Sequence, residues 1–86
     1  MNINVLIAII KKKLLKQFNC ETINIEDKSY LHKNHPGNQE GKFHLKIILK
    51  SSELKNLSKI ESNKKIYKVL DEEIKNFIHS IQVLII

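Results

Sequence analysis

Asp27-Lys-Ser-Tyr-Leu-His-Lys-Asn-His-Pro-Gly-Asn-Gln-Glu-Gly-Lys-Phe-His44 separates two runs in which apolar and polar residues alternate. It holds the only proline, Pro36, both glycines, Gly37 and Gly41, and three of the four histidines, His32, His35 and His44. Proline presets φ and glycine admits positive φ, so Pro36-Gly37 demands a turn. Strict alternation on both sides is the mark of half-buried strands. The stretch therefore reads as a long polar loop between two strands. A loop of this length in so small a domain is uncommon, and such loops are often functional.

Working outward, Thr22–Asp27 places Ile23 and Ile25 on one face. Phe43–Lys50 places Leu45, Ile47 and Leu49 on one face. Each strand keeps one wet face, as antiparallel neighbours do. Upstream, Ile3, Ile7, Ile10, Leu14 and Phe18 recur at spacings of three and four, one stripe of a helix that Asn2 or Asn4 caps. Lys12, Lys13 and Lys16 lie mostly off that stripe and read as a solvated face. Downstream, Ser51-Ser52 ends the second strand. A short turn or helix follows around Leu54–Glu61, with Ser58 as a cap. A further helix starting at Ser62 or Asn63 carries Ile66, Leu70, Ile74 and Phe77 on its apolar stripe. Asp71, Glu72 and Glu73 read as its solvated side, within reach of Lys68 and Lys75. Ser80–Ile86 alternates again and gives a third strand, with His79 just before it.

The expected order is α-β-β-α-α-β. That is an α+β domain in which helices cover one face of a three-stranded mixed sheet. The helical crossover from the second strand to the third suits a parallel pair.

At 86 residues the chain is read as one domain, residues 1–86, able to bury roughly 60% of its unfolded surface. That leaves no room for a deep catalytic cleft. All 15 basic residues are lysine and the net charge is +6. Lysine lacks the planar fork that reads guanine or phosphate bidentately, so the charge alone argues only weakly for nucleic acid. Cys20 is the single cysteine, which excludes an internal disulfide and points to a reducing compartment. Ile3–Ile10 is too short for a membrane span, and its lysines follow the apolar run instead of preceding it. A cytoplasmic protein is expected. No Ser/His/Asp or Cys/His arrangement and no glycine-rich phosphate loop is present, and an enzyme is not expected.

The chain resembles the BolA-like family from about Ile10 to Ile86. Ile25-Glu-Asp-Lys-Ser-Tyr-Leu-His32 is similar to the family's V-x-D-x-S-x-x-H run, and Gly41-Lys-Phe-His-Leu-Lys-Ile-Ile-Leu-Lys-Ser51 to its strand with G-x-(S/T)-H-F. Leu54-Lys-Asn-Leu-Ser58 stands where the family has F-x-G-x-S. Ile66-Tyr-Lys-Val-Leu-Asp-Glu-Glu-Ile74 resembles V-Y-x-x-L-x-x-E-L, and Phe77-Ile-His-Ser-Ile-Gln-Val83 resembles x-I-H-A-L-x-I. Ser62-Asn63 departs from the family's Arg-His pair, and Asn56 replaces the glycine of its turn.

The resemblance implies a fold related to the class II KH domain. It also implies a partner, a monothiol glutaredoxin, with which BolA-like proteins share a [2Fe-2S] cluster held in part by glutathione. By position, the C-terminal histidine ligand is His79 and the loop ligand is His35, with His44 in reserve. Imidazole in place of thiolate raises a cluster's potential, and its binding depends on pH because the ligand must be deprotonated.

Read without the resemblance, His79 is a histidine at a helix–strand junction and His35 a solvated loop residue. His44, opposite Leu45, is an exposed or cross-strand-paired residue, and His32 bonds locally. A zinc site on His32, His35 and His44 would lack cysteines at zinc-finger spacing. The rival function is DNA binding by a transcriptional regulator. The Gly-x-x-Gly clamp of KH domains is replaced by Glu61-Ser-Asn-Lys-Lys65. Lys64, Lys65 and Lys68 would then contact phosphates from the helix after Ser62, in helix-turn-helix fashion.

Overall fold

The computed structural model describes residues 2–29 and 42–86. The turn expected at Pro36-Gly37, and His32 and His35, lie outside them. Helix α1 spans Ile3–Gln17, strand β1 Thr22–Asp27 and strand β2 Phe43–Lys50. Helices α2 (Ser52–Lys55), α3 (Lys59–Val69) and α4 (Asp71–Phe77) lead to strand β3 (Ile78–Ile85). The sheet order is β1-β2-β3, with β1 antiparallel and β3 parallel to β2. This is the expected mixed sheet, with the chain crossing through helices between the parallel strands.

One core joins the helices to one face of the sheet. Ile25, Leu45, Ile47 and Leu49 meet Leu6, Ile10 and Leu14 of α1, and Leu54, Ile66, Leu70 and Ile78 complete the cluster. The alternating residues expected to point inward do so. In α1 the buried line includes Leu6, which the sequence reading passed over, while Ile3, Ile7 and Phe18 are only partly buried at its margin. A 3.6-residue period lets either Leu6 or Ile7 extend the stripe from Ile3, and packing against the sheet selects Leu6.

Capping decides where the helices begin. Asn2 Oδ1 accepts from the Asn4 N–H at 2.7 Å and starts α1. Ser58 Oγ accepts from the Glu61 N–H at 3.1 Å. That cap starts α3 at Lys59, three residues before the expected start at Ser62 or Asn63. Glu61–Lys65 is consequently helical and cannot act as a backbone-gripping turn. The single long helix expected to reach Phe77 is divided at Leu70, where φ −100° and ψ 17° interrupt the helical path. The division gives four helices in place of three.

Ser51 caps α2. Its Oγ accepts from the Leu54 N–H at 3.3 Å and donates to the Asn19 carbonyl at 2.8 Å, tying the end of β2 to the turn before β1. The residue is fully buried. Ser51→Ala is expected to cost about 1–2 kcal/mol, because both bonds lose their partner where water cannot replace it. Urea unfolding of the variant, at unchanged m-value, measures this.

Candidate metal centre

The region around His44 and His79 is built where β2 begins beside the start of β3. His79 is the second residue of β3, inside the strand and not before it as expected, and its side chain is exposed. His44 is 5% exposed, which corrects the expectation of a solvent-facing residue. Two features bury it. The ladder between β2 and β3 shifts register between Phe43 and His44, so that Phe43 pairs with Ile78 but His44 with Ser80. The local chain then closes around the strand: the Lys28 N–H donates to the His44 carbonyl at 2.7 Å, and the His44 N–H donates to Ser29 Oγ at 3.1 Å. The cross-strand pairing offered by the sequence reading is present, with Ser80 as the partner.

The two rings meet with centroids 4.8 Å apart and planes tilted by 49°. His44 Nδ1 lies 2.7 Å from Ser80 Oγ. A hydroxyl on one ring nitrogen fixes the orientation of the imidazole, which is how residues behind a metal ligand act. His79, being exposed, is the ring that a group shared with another protein can reach. A shallow depression of about 310 Å³ adjoins His44, lined by that residue with Lys28, Lys46 and Ser80 among others, and His79 is not part of its lining. Lys28 is already paired with Glu26 at 3.2 Å, so the positive charge this depression offers an occupant comes mainly from Lys46.

Among the described residues, no group of three or more His, Cys, Asp or Glu side chains could hold a metal ion by itself. A metal at His79 would therefore draw further ligands from the segment that carries His35 or from a partner. The described residues would supply a shared [2Fe-2S] centre with one exposed imidazole, His79, against which the buried His44 ring packs.

Cys20 stands apart from the pair, half-buried near Ser51. Burial pushes its thiol above the ordinary value, the negative charge of Glu53 adds to this, and a hydrogen bond with Ser51 opposes it. A raised pKa means less thiolate at neutral pH, so Cys20 is expected to be sluggish toward alkylation. The pH–rate profile with iodoacetamide should reach its midpoint above that of an unstructured cysteine peptide. A midpoint below it would show an activated thiol.

Lys64, Lys65 and Lys68 are all exposed on α3. Lys65 and Lys68 face a broad groove of about 660 Å³ together with Lys13 and Lys16 of α1, and Lys64 is not among its lining residues. The acidic run of α4 departs from the expected solvated face. Asp71 pairs with Lys75 at 3.0 Å, as i,i+4 spacing allows, but Glu73 is buried and bonds Lys13 Nζ at 2.6 Å. Ser29, Ser80 and the Lys13–Glu73 pair escaped the sequence reading. Ser80 alone left a signal, since it follows His79 and falls beside His44 once the register is known.

A family model described as "BolA-like protein" matches residues 14–85. A protein of Haemophilus influenzae named "DNA-binding transcriptional regulator BolA" is 33% identical over 73 residues, covering 85% of this chain and 68% of that protein. Among solved structures, the BolA domain of SufE1 from Arabidopsis thaliana is similar at a TM-score of 0.75 with 24% identity, over 91% of this chain and 86% of that one. BolA1 from Mus musculus is similar at 0.74 with 19% identity, over 92% of this chain and 62% of that one. Likeness at these structural identities speaks for the fold.

Proposed function

The chain belongs to the BolA-like protein family, and from that premise we propose that it is the partner of a monothiol glutaredoxin in the cytoplasm, not an enzyme. The two proteins share a glutathione-ligated [2Fe-2S] cluster for iron–sulfur trafficking or iron and redox sensing. His79 is the exposed ligand from this chain, and His35, from the segment between β1 and β2, is the second. His44 is the positioning residue and the reserve ligand, since its ring is buried against the His79 ring and also lines the depression beside it. The observation that carries the reading is this contact, with the exposed ring outermost and the buried one anchored on Ser80.

When bound, such a cluster supplies one-electron chemistry and a transferable iron–sulfur unit. This chain contributes orientation and charge. Ser80 Oγ bonds the His44 ring, the His44 ring packs against that of His79, and Lys46 beside His44 favours a thiolate-rich anionic group. The test mixes the protein with a monothiol glutaredoxin carrying cluster and glutathione. A one-to-one complex by mass, with a visible spectrum distinct from that of the glutaredoxin alone, is the expected result. An unchanged spectrum with no complex would remove the reading.

A second reading is favoured by the name of the Haemophilus influenzae relative and by the exposed lysines of α3. DNA would lie along α3, with Lys64, Lys65 and Lys68 on phosphates. Lys65→Ala and Lys68→Ala should each weaken binding alike for all sequences and lower the salt slope by about one. Glutaredoxin-dependent spectra should not change. Sequence-selective, salt-resistant binding by the unaltered protein would put this reading first.

A further inference from the structure

Among the described residues β3 is an edge strand, and its outer rim can be assigned residue by residue. The Ile86 N–H donates to the Leu49 carbonyl at 2.8 Å, and Leu49 stands opposite Ile85. In a parallel ladder both backbone groups of a residue point the same way, and successive residues alternate. Residues 80, 82, 84 and 86 therefore serve β2, while Ile81, Val83 and Ile85 turn their N–H and carbonyl groups outward. Lys55 Nζ donating to the Ile85 carbonyl at 3.4 Å, from beyond the sheet, agrees with that assignment.

Edges of natural sheets are blunted by charge, proline or bulges. The opposite edge, β1, carries Glu26 and Asp27. From Ile78 to Ile86 there is no charged residue and no proline, and the one register shift lies at the His79 end. Beside the half away from His79, where the Lys55 ammonium on the Ile85 carbonyl is the one charge bonded to the rim among the described residues, runs a pocket of about 260 Å³ between β3 and the α2–α3 segment. Leu54, Leu57, Val83 and Ile85 give it apolar lining, and Lys55 and Lys59 are its cations. A volume of this size takes one or two side chains and falls just short of ordinary small-molecule sites.

We propose that this edge and pocket form a docking groove for an extended acidic segment of a partner protein. The segment adds as a fourth strand along Ile81–Ile85, sets alternate apolar side chains into the pocket and meets Lys55 and Lys59 with carboxylates. Strand addition draws affinity from main-chain hydrogen bonds and specificity from the pockets for alternate side chains. A second copy of this chain is disfavoured, because an isologous pairing brings the same lysines of two +6 chains together. The groove lies at the end of β3 away from His79, so it can be occupied with or without a group on the histidines.

The probe is the peptide acetyl-Glu-Val-Thr-Val-Thr-Val-Glu-amide, titrated into isotope-labelled full-length protein, with a counterpart in which lysine replaces both glutamates. Saturable shifts and slowed hydrogen exchange are expected at the Ile81, Val83 and Ile85 amides. The lysine peptide should bind at least tenfold more weakly, and the double variant Lys55→Glu/Lys59→Glu should invert that preference. Val83→Pro removes an outward N–H, at a place where edge strands accept proline, together with part of a side chain that packs on the core and lines the pocket, and should weaken binding at least tenfold. Should this variant fail to fold, the charge inversion remains decisive. No response at the three amides up to millimolar peptide overturns the proposal. So does equal binding of both peptides, displacement of the acidic peptide by an octathymidylate, or a concentration-dependent dimer whose interface is β3.

Discussion

His79→Ala is expected to abolish the visible circular dichroism of the mixed cluster when the variant meets cluster-loaded monothiol glutaredoxin, and to leave unfolding within about 0.5 kcal/mol of the parent. The fold tolerates the change because the side chain is exposed and lies outside the core. The cluster does not, because among the described residues no other exposed histidine lies beside His44 on the sheet. His44→Ala is a different experiment. It removes a buried ring from between His79 and Ser80, so it should destabilise the protein and weaken cluster retention about 10–100-fold, the range seen when the residue behind a ligand is lost. Ser80→Ala leaves both rings in place but releases Nδ1 of the inner one, and should be milder on both counts.

His35→Ala should leave a labile cluster, and His35→Cys should retain the cluster with an altered spectrum, since thiolate donates more charge than imidazole. Acidification should release the cluster from the unaltered protein, because protons compete for the imidazole ligand. A wild-type spectrum from His79→Ala would show the ligand assignment to be wrong, leaving the family and the fold untouched.

Lys13→Met is expected to destabilise the domain by about 2–3 kcal/mol, a melting shift of roughly 10–20 °C for a domain of this size. Lys13 Nζ lies 2.6 Å from Glu73 Oε2, and the Glu73 side chain is only 6% exposed. Its other oxygen, Oε1, is buried with no hydrogen-bond partner. Removing the lysine leaves a carboxylate inside the protein without its cation. The estimate sits below the ~3–5 kcal/mol of a fully buried pair because Lys13 itself remains 35% exposed and water screens it. The double variant Lys13→Met/Glu73→Leu should recover most of the loss, since two apolar side chains replace two charges at the same junction of α1 and α4. A double-mutant cycle by thermal unfolding reads this directly. Additive losses would show that the two residues act independently, against the geometry.

That pair also marks the limit of reading the chain by itself. Glu73 sits in Asp71-Glu72-Glu73, and from local spacing all three carboxylates belong to a solvated helix face. Asp71 obeys, since its partner Lys75 is one turn away. Glu73 does not, because its partner lies 60 positions distant on another helix. The same holds for the histidines. His44 falls on the polar side of a strand by simple alternation, and its burial depends on a register shift against a strand 36 residues further on.

The elements themselves were legible because their signals are local. A two-residue period in Ile23/Ile25 and in Leu45/Ile47/Leu49, and a helical stripe through Ile10 and Leu14, report which face of a segment avoids water whatever it packs against. Ser58 was legible as a cap for the same reason. Sequence alone therefore determined the three strands to within a few residues, the first helix, the parallel crossover and the family resemblance. Tertiary structure decided the break at Leu70, the choice of Leu6 over Ile7, the burial of His44 against His79 and the enclosure of Glu73. Each of those depends on the surface that a second element presents, and nothing in a residue's own neighbourhood along the chain encodes that surface.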